Sequence, residues 1–250
     1  MSATAYTVAI VPARGGSKGI PRKNVIDFCG HPLIAWTIAA ARRCAAIDAV
    51  YVSTDDAEIA NASRRYGAQV IDRPPELAGD RATSESALLH AAAAIEGQTG
   101  RKPDRIVFLQ ATSPLRESAE LDGALAQFAA EGLDSLFCAS VPEDMLFWRQ
   151  DESGLTSVNY DYVSRKRRQD MATPEMLLVE TGSFYITRTG LLETAQNRLG
   201  GKIGVWLVDF WKSFEIDSAA GLELCQTLMR QRGLDRNPPE VISTSTTQFS

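Results

Sequence analysis

Short apolar runs of strand length alternate with stretches of helix length through most of this chain, and that alternation limits its fold more than any other feature. Residues 8–11, 49–53, 69–72, 105–110 and 135–139 read as strands. Residues 32–44, 56–66, 84–96 and 118–131 read as the helices between them. Apolar runs this short, regularly separated by helices, demand a mostly parallel sheet covered on both faces. The predicted class is α/β, a Rossmann-like sheet with helices on both sides. After residue 140 the alternation breaks into a segment with Pro142, Trp148, Tyr160, Tyr162, Arg165–Arg168 and Pro174, in which only 146–148 looks strand-like. It resumes with strands at 183–187 and 205–208 and helices at 190–198 and 218–231. We therefore expect a core of residues 1–140 and 180–232, an inserted arm at 141–179 and a polar tail at 233–250, disordered from Asn237 onward. The aromatic residues of the arm need a surface to bury against. A second copy of the chain or a lid on the same chain would both supply one.

In open sheets of this kind ligands lie beyond the carboxyl ends of the strands. The polar clusters of this sequence follow strand ends: Arg14–Asn24, Ser53–Asp55, Arg73, and Gln110–Arg116. The first holds three glycines, a serine and the cations Arg14, Lys18, Arg22 and Lys23. Glycines let backbone amides approach an anion, and the side chains add full positive charge. The loop reads as a polyphosphate cradle or as a solvated basic turn. It is not a Walker A loop, since Ser17 precedes Lys18, and it lacks the G-x-G-x-x-G fingerprint.

Composition removes several function classes. A net charge of −5 argues against general nucleic-acid binding. The four cysteines, Cys29, Cys44, Cys138 and Cys225, form no C-x-x-C pair and suit reduced thiols in the cytoplasm. Two histidines, His31 and His90, are too few for a multi-histidine metal site, and there is no G-x-S-x-G elbow. No signal sequence or membrane-length apolar run is seen.

Further along, Thr83 and Ser84 stand at a helix start, where a hydroxyl caps the helix and can also meet a ligand. Gln110 ends a strand, where its amide can donate to and accept from a sugar, while Ser113-Pro114 fixes a turn. In Phe214-Glu215-Ile216-Asp217 alternation sends both carboxylates to one face, where they repel unless a cation lies between them. Oxygen ligands suit Mg²⁺. The competing reading makes Asp217 the N-cap of the last helix, a role open to Ser218 as well.

Taken in order, the stretches Ala13–Asn24, Arg73-Pro-Pro-Glu-Leu-Ala, Leu109-Gln-Ala-Thr-Ser-Pro-Leu-Arg116, Arg168-Gln169 with Glu180–Tyr185, and Glu215-Ile-Asp217 resemble the motifs of the CMP-sialic acid synthetase (acylneuraminate cytidylyltransferase) family over roughly residues 8–232. The resemblance implies CMP transfer from CTP to the anomeric hydroxyl of a nonulosonic acid, with release of pyrophosphate. It implies that Arg14 and Lys18 contact the triphosphate, with Ala13, Ser17 and Asn24 beside the nucleotide. Arg73, Ala82, Thr83 and Ser84 would read cytosine. Gln110, Arg168, Gln169 and Tyr185 would meet the sugar acid, and Asp217 with Glu215 would hold Mg²⁺. Arg14, Lys18 and Asp217 would be the catalytic set, with no side chain standing out as general base. The arm would make a cytoplasmic homodimer. Thr181 and Glu215 depart from the asparagine and aspartate usual in the family, which bears on sugar recognition and on how directly Glu215 reaches the ion. The alternatives are activation of an octulosonate or of a sugar 1-phosphate, a non-catalytic nucleotide-binding module, and an acidic-sugar phosphatase.

Overall fold

The computed structural model describes residues 5–16, 19–79, 81–142, 145–167, 170 and 177–242. In chain order the elements are β1 (Thr7–Pro12), β2 (Asp27–Phe28), β3 (His31–Pro32), α1 (Leu33–Arg43), β4 (Ala49–Thr54), α2 (Ala57–Arg65), β5 (Gln69–Asp72), α3 (Ser84–Thr99), β6 (Arg105–Leu109), α4 (Ser118–Ala130), β7 (Ser135–Ser140), β8 (Trp148–Asp151), β9 (Gly154–Ser157), β10 (Val179–Arg188), α5 (Thr189–Ala195), β11 (Ile203–Val208) and α6 (Ala219–Gln231). Seven strands form one sheet in the order β11-β7-β10-β6-β1-β4-β5. All pairs are parallel except those of β10, which runs against both β6 and β7.

Strand periodicity divides the core into two layers. From β1, Ala9 and Val11 join Ile34 and Ile38 of α1 and Leu121 and Phe128 of α4 on one face. Val8 and Ile10 join Leu88 and Ile95 of α3, Phe108 and Tyr185 on the other. A third cluster, including Leu33, Trp36, Leu115, Ile216, Cys225 and Met229, fastens α6 beside α1. The helices start where hydroxyl or carboxylate side chains cap them. The Asp56 carboxylate accepts from the Glu58 and Ile59 amides, both at 2.9 Å, and the Thr83 hydroxyl from the Ser86 amide at 3.1 Å. Ser218, not Asp217, caps α6, accepting from the Gly221 amide at 3.1 Å.

Three expectations are corrected. The strand predicted at 183–187 is ten residues long, because Val179 and Glu180 also pair with β7 ahead of an irregularity between Glu180 and Tyr185. The strand expected at 146–148 begins only at Trp148, in a small β8–β9 hairpin. Residues 237–242 are ordered against the core rather than disordered. Arg43 donates to the carbonyls of Asn237 and Pro238 at 2.8 and 2.6 Å, and the Ile242 amide donates to the Arg65 carbonyl at 2.9 Å. Around the hairpin Phe147, Trp148, Leu155, Tyr162 and Val163 are exposed.

Candidate active site

The parallel strands β1, β4, β5 and β6 end together on one edge of the sheet. Because β10 arrives from the opposite direction, its first residues extend over the same edge, with Phe184 opposite Leu109. The loop after β1 is held from several sides. Ala13, 2% exposed, donates its amide to the Ser53 carbonyl at 2.9 Å. Asn24, buried, donates to the Arg14 carbonyl at 3.1 Å. The Gly15 amide meets an anion as the loop chemistry predicts, here the Asp55 carboxylate at 3.0 Å. Arg14 reaches across to the Gly79 carbonyl at 3.1 Å. That contact joins the loop to the segment that leads into α3. There Ala82 and Thr83 line an open pocket with Glu76, Leu77, Gly79, Arg81 and Ser86, and Ser84 is the first helical residue. Ser17, Lys18, Arg168 and Gln169 lie outside the described residues.

At the other end of the loop, the Lys23 ammonium donates to Asp217 at 2.7 Å. Gly19 packs so closely on the Asp217 carbonyl oxygen that a Cβ there would lie 2.4 Å from it. Glu215 accepts from the Ser113 hydroxyl at 3.3 Å, and the Ile216 amide donates to the Thr112 carbonyl at 2.9 Å. Burial first, and the Asp217 charge second, push the Glu215 carboxyl above its usual range; Ser113, Arg116 and Lys23 act against them. Asp217 is near enough for its charge to act on Glu215, and the Lys23 ammonium is paired to Asp217. Gly182, at φ +65°, brings β10 onto this spot: a Cβ there would lie 2.3 Å from the Glu215 carboxylate and 2.7 Å from the Gln110 side-chain amide nitrogen. Gln110, Gly182, Ser113, Glu215, Asp217 and Lys23 thus form one constellation.

Two expected contacts are redirected inward. Arg73 is 8% exposed and donates to the Ser53 hydroxyl at 3.1 Å and to the Ser53 carbonyl. Burial, and then the neighbouring Arg14, draw its pKa down while Asp55 opposes them. It braces the ends of β4 and β5 instead of presenting its guanidinium to a base. Tyr185 is 2% exposed, stacked on Phe108 at 5.5 Å, covered by the Arg198 guanidinium at 4.4 Å, and bonded through its hydroxyl to Glu180. Burial, and then the hydroxyl bond to Glu180, raise its pKa. Its ring is part of the core.

Sequence reasoning passed over Arg116, although it ends the Leu109–Arg116 run. It is 7% exposed, and burial draws its pKa down to about 10. It donates to the Ser183 hydroxyl at 3.0 Å, the Gln110 carbonyl at 3.0 Å, the Ser183 carbonyl, and more distantly Thr37 at 3.4 Å. This one guanidinium ties the turn after β6 to β10 and α1. A charged arginine seven residues past a buried strand, just after Ser-Pro-Leu, was the available signal. Among the described residues no group of three or more His, Cys, Asp or Glu side chains could hold a metal ion. An ion at Glu215 and Asp217 would need oxygens from a ligand, the way Mg²⁺ is commonly bound beside phosphates.

Residues 8–167 match a family model described as cytidylyltransferase. N-acylneuraminate cytidylyltransferase A of Danio rerio is 33% identical over 94% of this chain and 53% of its own length. N-acylneuraminate cytidylyltransferase of Oncorhynchus mykiss is 35% identical over 79% of this chain and 44% of its own. The chain spans about half the length of these fish relatives. Pseudaminic acid cytidylyltransferase of Campylobacter jejuni is 39% identical over 71% of this chain and 76% of its own. Among solved structures, CMP:2-keto-3-deoxy-manno-octonic acid synthetase complexed with CTP superposes with a TM-score of 0.67 at 19% identity, covering 91% of this chain and 100% of that one. 4-Diphosphocytidyl-2C-methyl-D-erythritol synthase gives 0.65 at 13%, over 90% of this chain and 99% of that one. At such identities the structural likeness speaks for the fold alone. The family match over most of the sheet, and the C. jejuni relative covered for three-quarters of its length, establish that the chain belongs to the cytidylyltransferase family.

Proposed function

We propose that the protein transfers CMP from CTP to the anomeric hydroxyl of a nonulosonic acid, releasing pyrophosphate. The observation that carries the reading is the convergence of Lys23, Asp217, Glu215, Ser113 and Gln110 on one sheet edge. The family membership supports nucleotidyl transfer, and the relatives, named for N-acylneuraminate and pseudaminic acid, support a sialic-type acid as acceptor.

In this reading the triphosphate lies along the first loop, where Arg14 and Lys18 offset charge on the departing pyrophosphate. The base sits toward Ala82, Thr83 and Ser84, in the pocket at the start of α3. Gln110 orients the acceptor sugar from the end of β6, and Arg168 offers its carboxylate a guanidinium fork. The carboxylates of Glu215 and Asp217 fit a divalent cation: they lie close enough to raise the proton affinity of Glu215, and Lys23 already supplies one positive charge there. These two side chains would hold Mg²⁺, which when bound neutralises phosphate charge. Lys23 then lies within reach of both the carboxylate pair and the loop. Holding the sugar hydroxyl and the α-phosphorus in line is the chain's main task. The exposed aromatic residues of 147–163 support a homodimer, and a cytoplasmic location suits the unpaired thiols.

The test is a pyrophosphate-release assay with CTP, Mg²⁺ and a panel of N-acetylneuraminate, deaminated neuraminate, legionaminate, pseudaminate, 8-amino octulosonate and glucose 1-phosphate. Turnover of one or more of the nonulosonic acids is expected. Turnover of glucose 1-phosphate alone, CTP binding without pyrophosphate release, or phosphate release without CTP would each overturn the reading.

A further inference from the structure

Two stretches of chain, 110–120 and 209–217, are bonded to each other, and the second carries the carboxylate pair. The Ile216–Thr112 backbone bond joins them at one end, and the Ser113–Glu215 bond follows next to it. At the far end stands Lys212, in the short turn Phe210–Ser213, the one lysine among the described residues that is buried. Its ammonium donates to Glu117 and, at 2.6 Å, to Glu120, and lies 5.2 Å from the centre of the Trp211 ring.

Neither element needs this ammonium for its own shape. Glu117 and Glu120 already form a reciprocal capping box at the start of α4. The turn is closed by the Lys212 amide on the Asp209 carbonyl at 2.9 Å and by the Ser213 hydroxyl on the Phe210 carbonyl at 2.6 Å. A buried cation is costly unless well paired, and here the pairing joins two elements that are each complete. What it fixes is their register. Three residues after Lys212 comes Glu215, whose carboxylate is placed by Ser113, three residues before Arg116 and four before Glu117.

We infer that Lys212 is a positioning residue: clamped to the first turn of α4, it holds the Glu215 carboxylate in register with Ser113 and Asp217, and so sets how tightly the pair binds a divalent cation. The inference rests on the reading of Glu215 and Asp217 as cation ligands. It is tested on the full chain by titrating Mn²⁺, followed by electron paramagnetic resonance, with and without CTP. Lys212→Met should weaken Mn²⁺ binding about tenfold, the lower end of what losing a group that orients a metal ligand costs. CTP affinity measured without metal should stay within about twofold, since the Lys212 ammonium bonds to α4 and not to the first loop, and Lys212→Arg should recover most of the loss. A merely structural role would lower the melting temperature without moving the Mn²⁺ isotherm of the folded protein. A folded Lys212→Met protein with wild-type Mn²⁺ affinity overturns the inference. If Lys212→Met does not fold, Glu120→Gln, which loosens the clamp and keeps the Glu117 pairing, must show a smaller shift in the same direction; no shift overturns the inference equally. Asp217→Asn and Glu215→Gln run alongside separate the two ideas. If both keep wild-type Mn²⁺ affinity, the cation reading itself fails; if they lose it and Lys212→Met does not, the positioning role fails.

Discussion

Replacing Arg116 with methionine tests whether the site edge hangs on one buried guanidinium. Methionine keeps the unbranched stem and most of the volume, so the change removes donors without opening a large cavity. Three contacts are lost at hydrogen-bonding distance: the Ser183 hydroxyl, the Ser183 carbonyl and the Gln110 carbonyl. Bonds from a charged donor are each worth about 1.5–3 kcal/mol net. Against this stands relief from burying a full charge, which itself costs several kcal/mol. The balance is set by what the acceptors have left. The Gln110 carbonyl keeps only the Ser113 amide at 3.4 Å and the Thr37 hydroxyl at 3.5 Å, and the Ser183 carbonyl keeps the Gln110 amide at 3.4 Å. Two weakly satisfied buried carbonyls at about 1.5 kcal/mol each give a loss of about 3 kcal/mol. For a chain of this size that lowers Tm by about 6–12 °C. Arg116→Lys should fall in the same direction, because an ammonium cannot span acceptors arranged for a planar fork. Circular dichroism melts at neutral pH measure both. A loss under about 2 °C for the methionine variant would show that the turn after β6 is held by Pro114 and the apolar contacts of Leu115, and the argument from Arg116 would be wrong.

Other expectations follow from the same geometry. Gly182→Ala places a Cβ in a left-handed conformation and against both Glu215 and Gln110, so we expect turnover to fall at least about tenfold with the fold retained, measured by pyrophosphate release and circular dichroism. Asp217→Ala and Lys18→Ala should each lower kcat at least about a hundredfold, the usual cost of losing one charge-stabilising group; near-wild-type turnover in either removes its assigned role. Glu215→Gln should stabilise the protein while it impairs the reaction. The carboxyl is held above its ordinary pKa in the folded state, so its contribution to stability is full below the unfolded value and is lost as pH rises through the folded one. At neutral pH the glutamine variant should therefore melt higher than the parent, with the gain fading as pH falls toward 4.

The sheet was legible because its central strands β1, β4 and β6 are buried on both faces, so strand, turn and helix each leave a plain mark. β5 runs over Gln69–Asp72 and α2 follows Asp56, both as the pattern predicts. The direction of β10 left no such mark, since an antiparallel strand buried between two others carries the same apolar alternation as a parallel one. Its length was hidden for a related reason: Thr181 and Gly182 look like a loop in sequence and are strand residues at an irregularity. The ordered path of 237–242 could not be read either, because it depends on carbonyl groups meeting Arg43, and backbone acceptors are invisible in a list of side chains.

The site shows where residue-by-residue reading stops. Spacing and the family resemblance made Glu215 and Asp217 candidates for a cation, and the structure adds that Ser218 caps α6, so the helix start does not account for Asp217. Charge type alone could not separate the arginines. Arg14, Arg73 and Arg116 all follow strand ends, yet Arg73 and Arg116 turn inward to carbonyls of β4 and β10 while Arg14 crosses the edge to Gly79. All three bond backbone carbonyls, and the difference lies in where those carbonyls stand: within the sheet for Arg73 and Arg116, across its edge for Arg14. The Ser53 and Ser183 carbonyls each already accept one backbone amide, from Ala13 and Gln110, and the arginines use the second acceptor position that a carbonyl oxygen offers. The basic residues that follow strand ends in this chain therefore divide between guanidinium groups buried beneath the edge and one that crosses it, a distinction set by the backbone around each and not by the side chain.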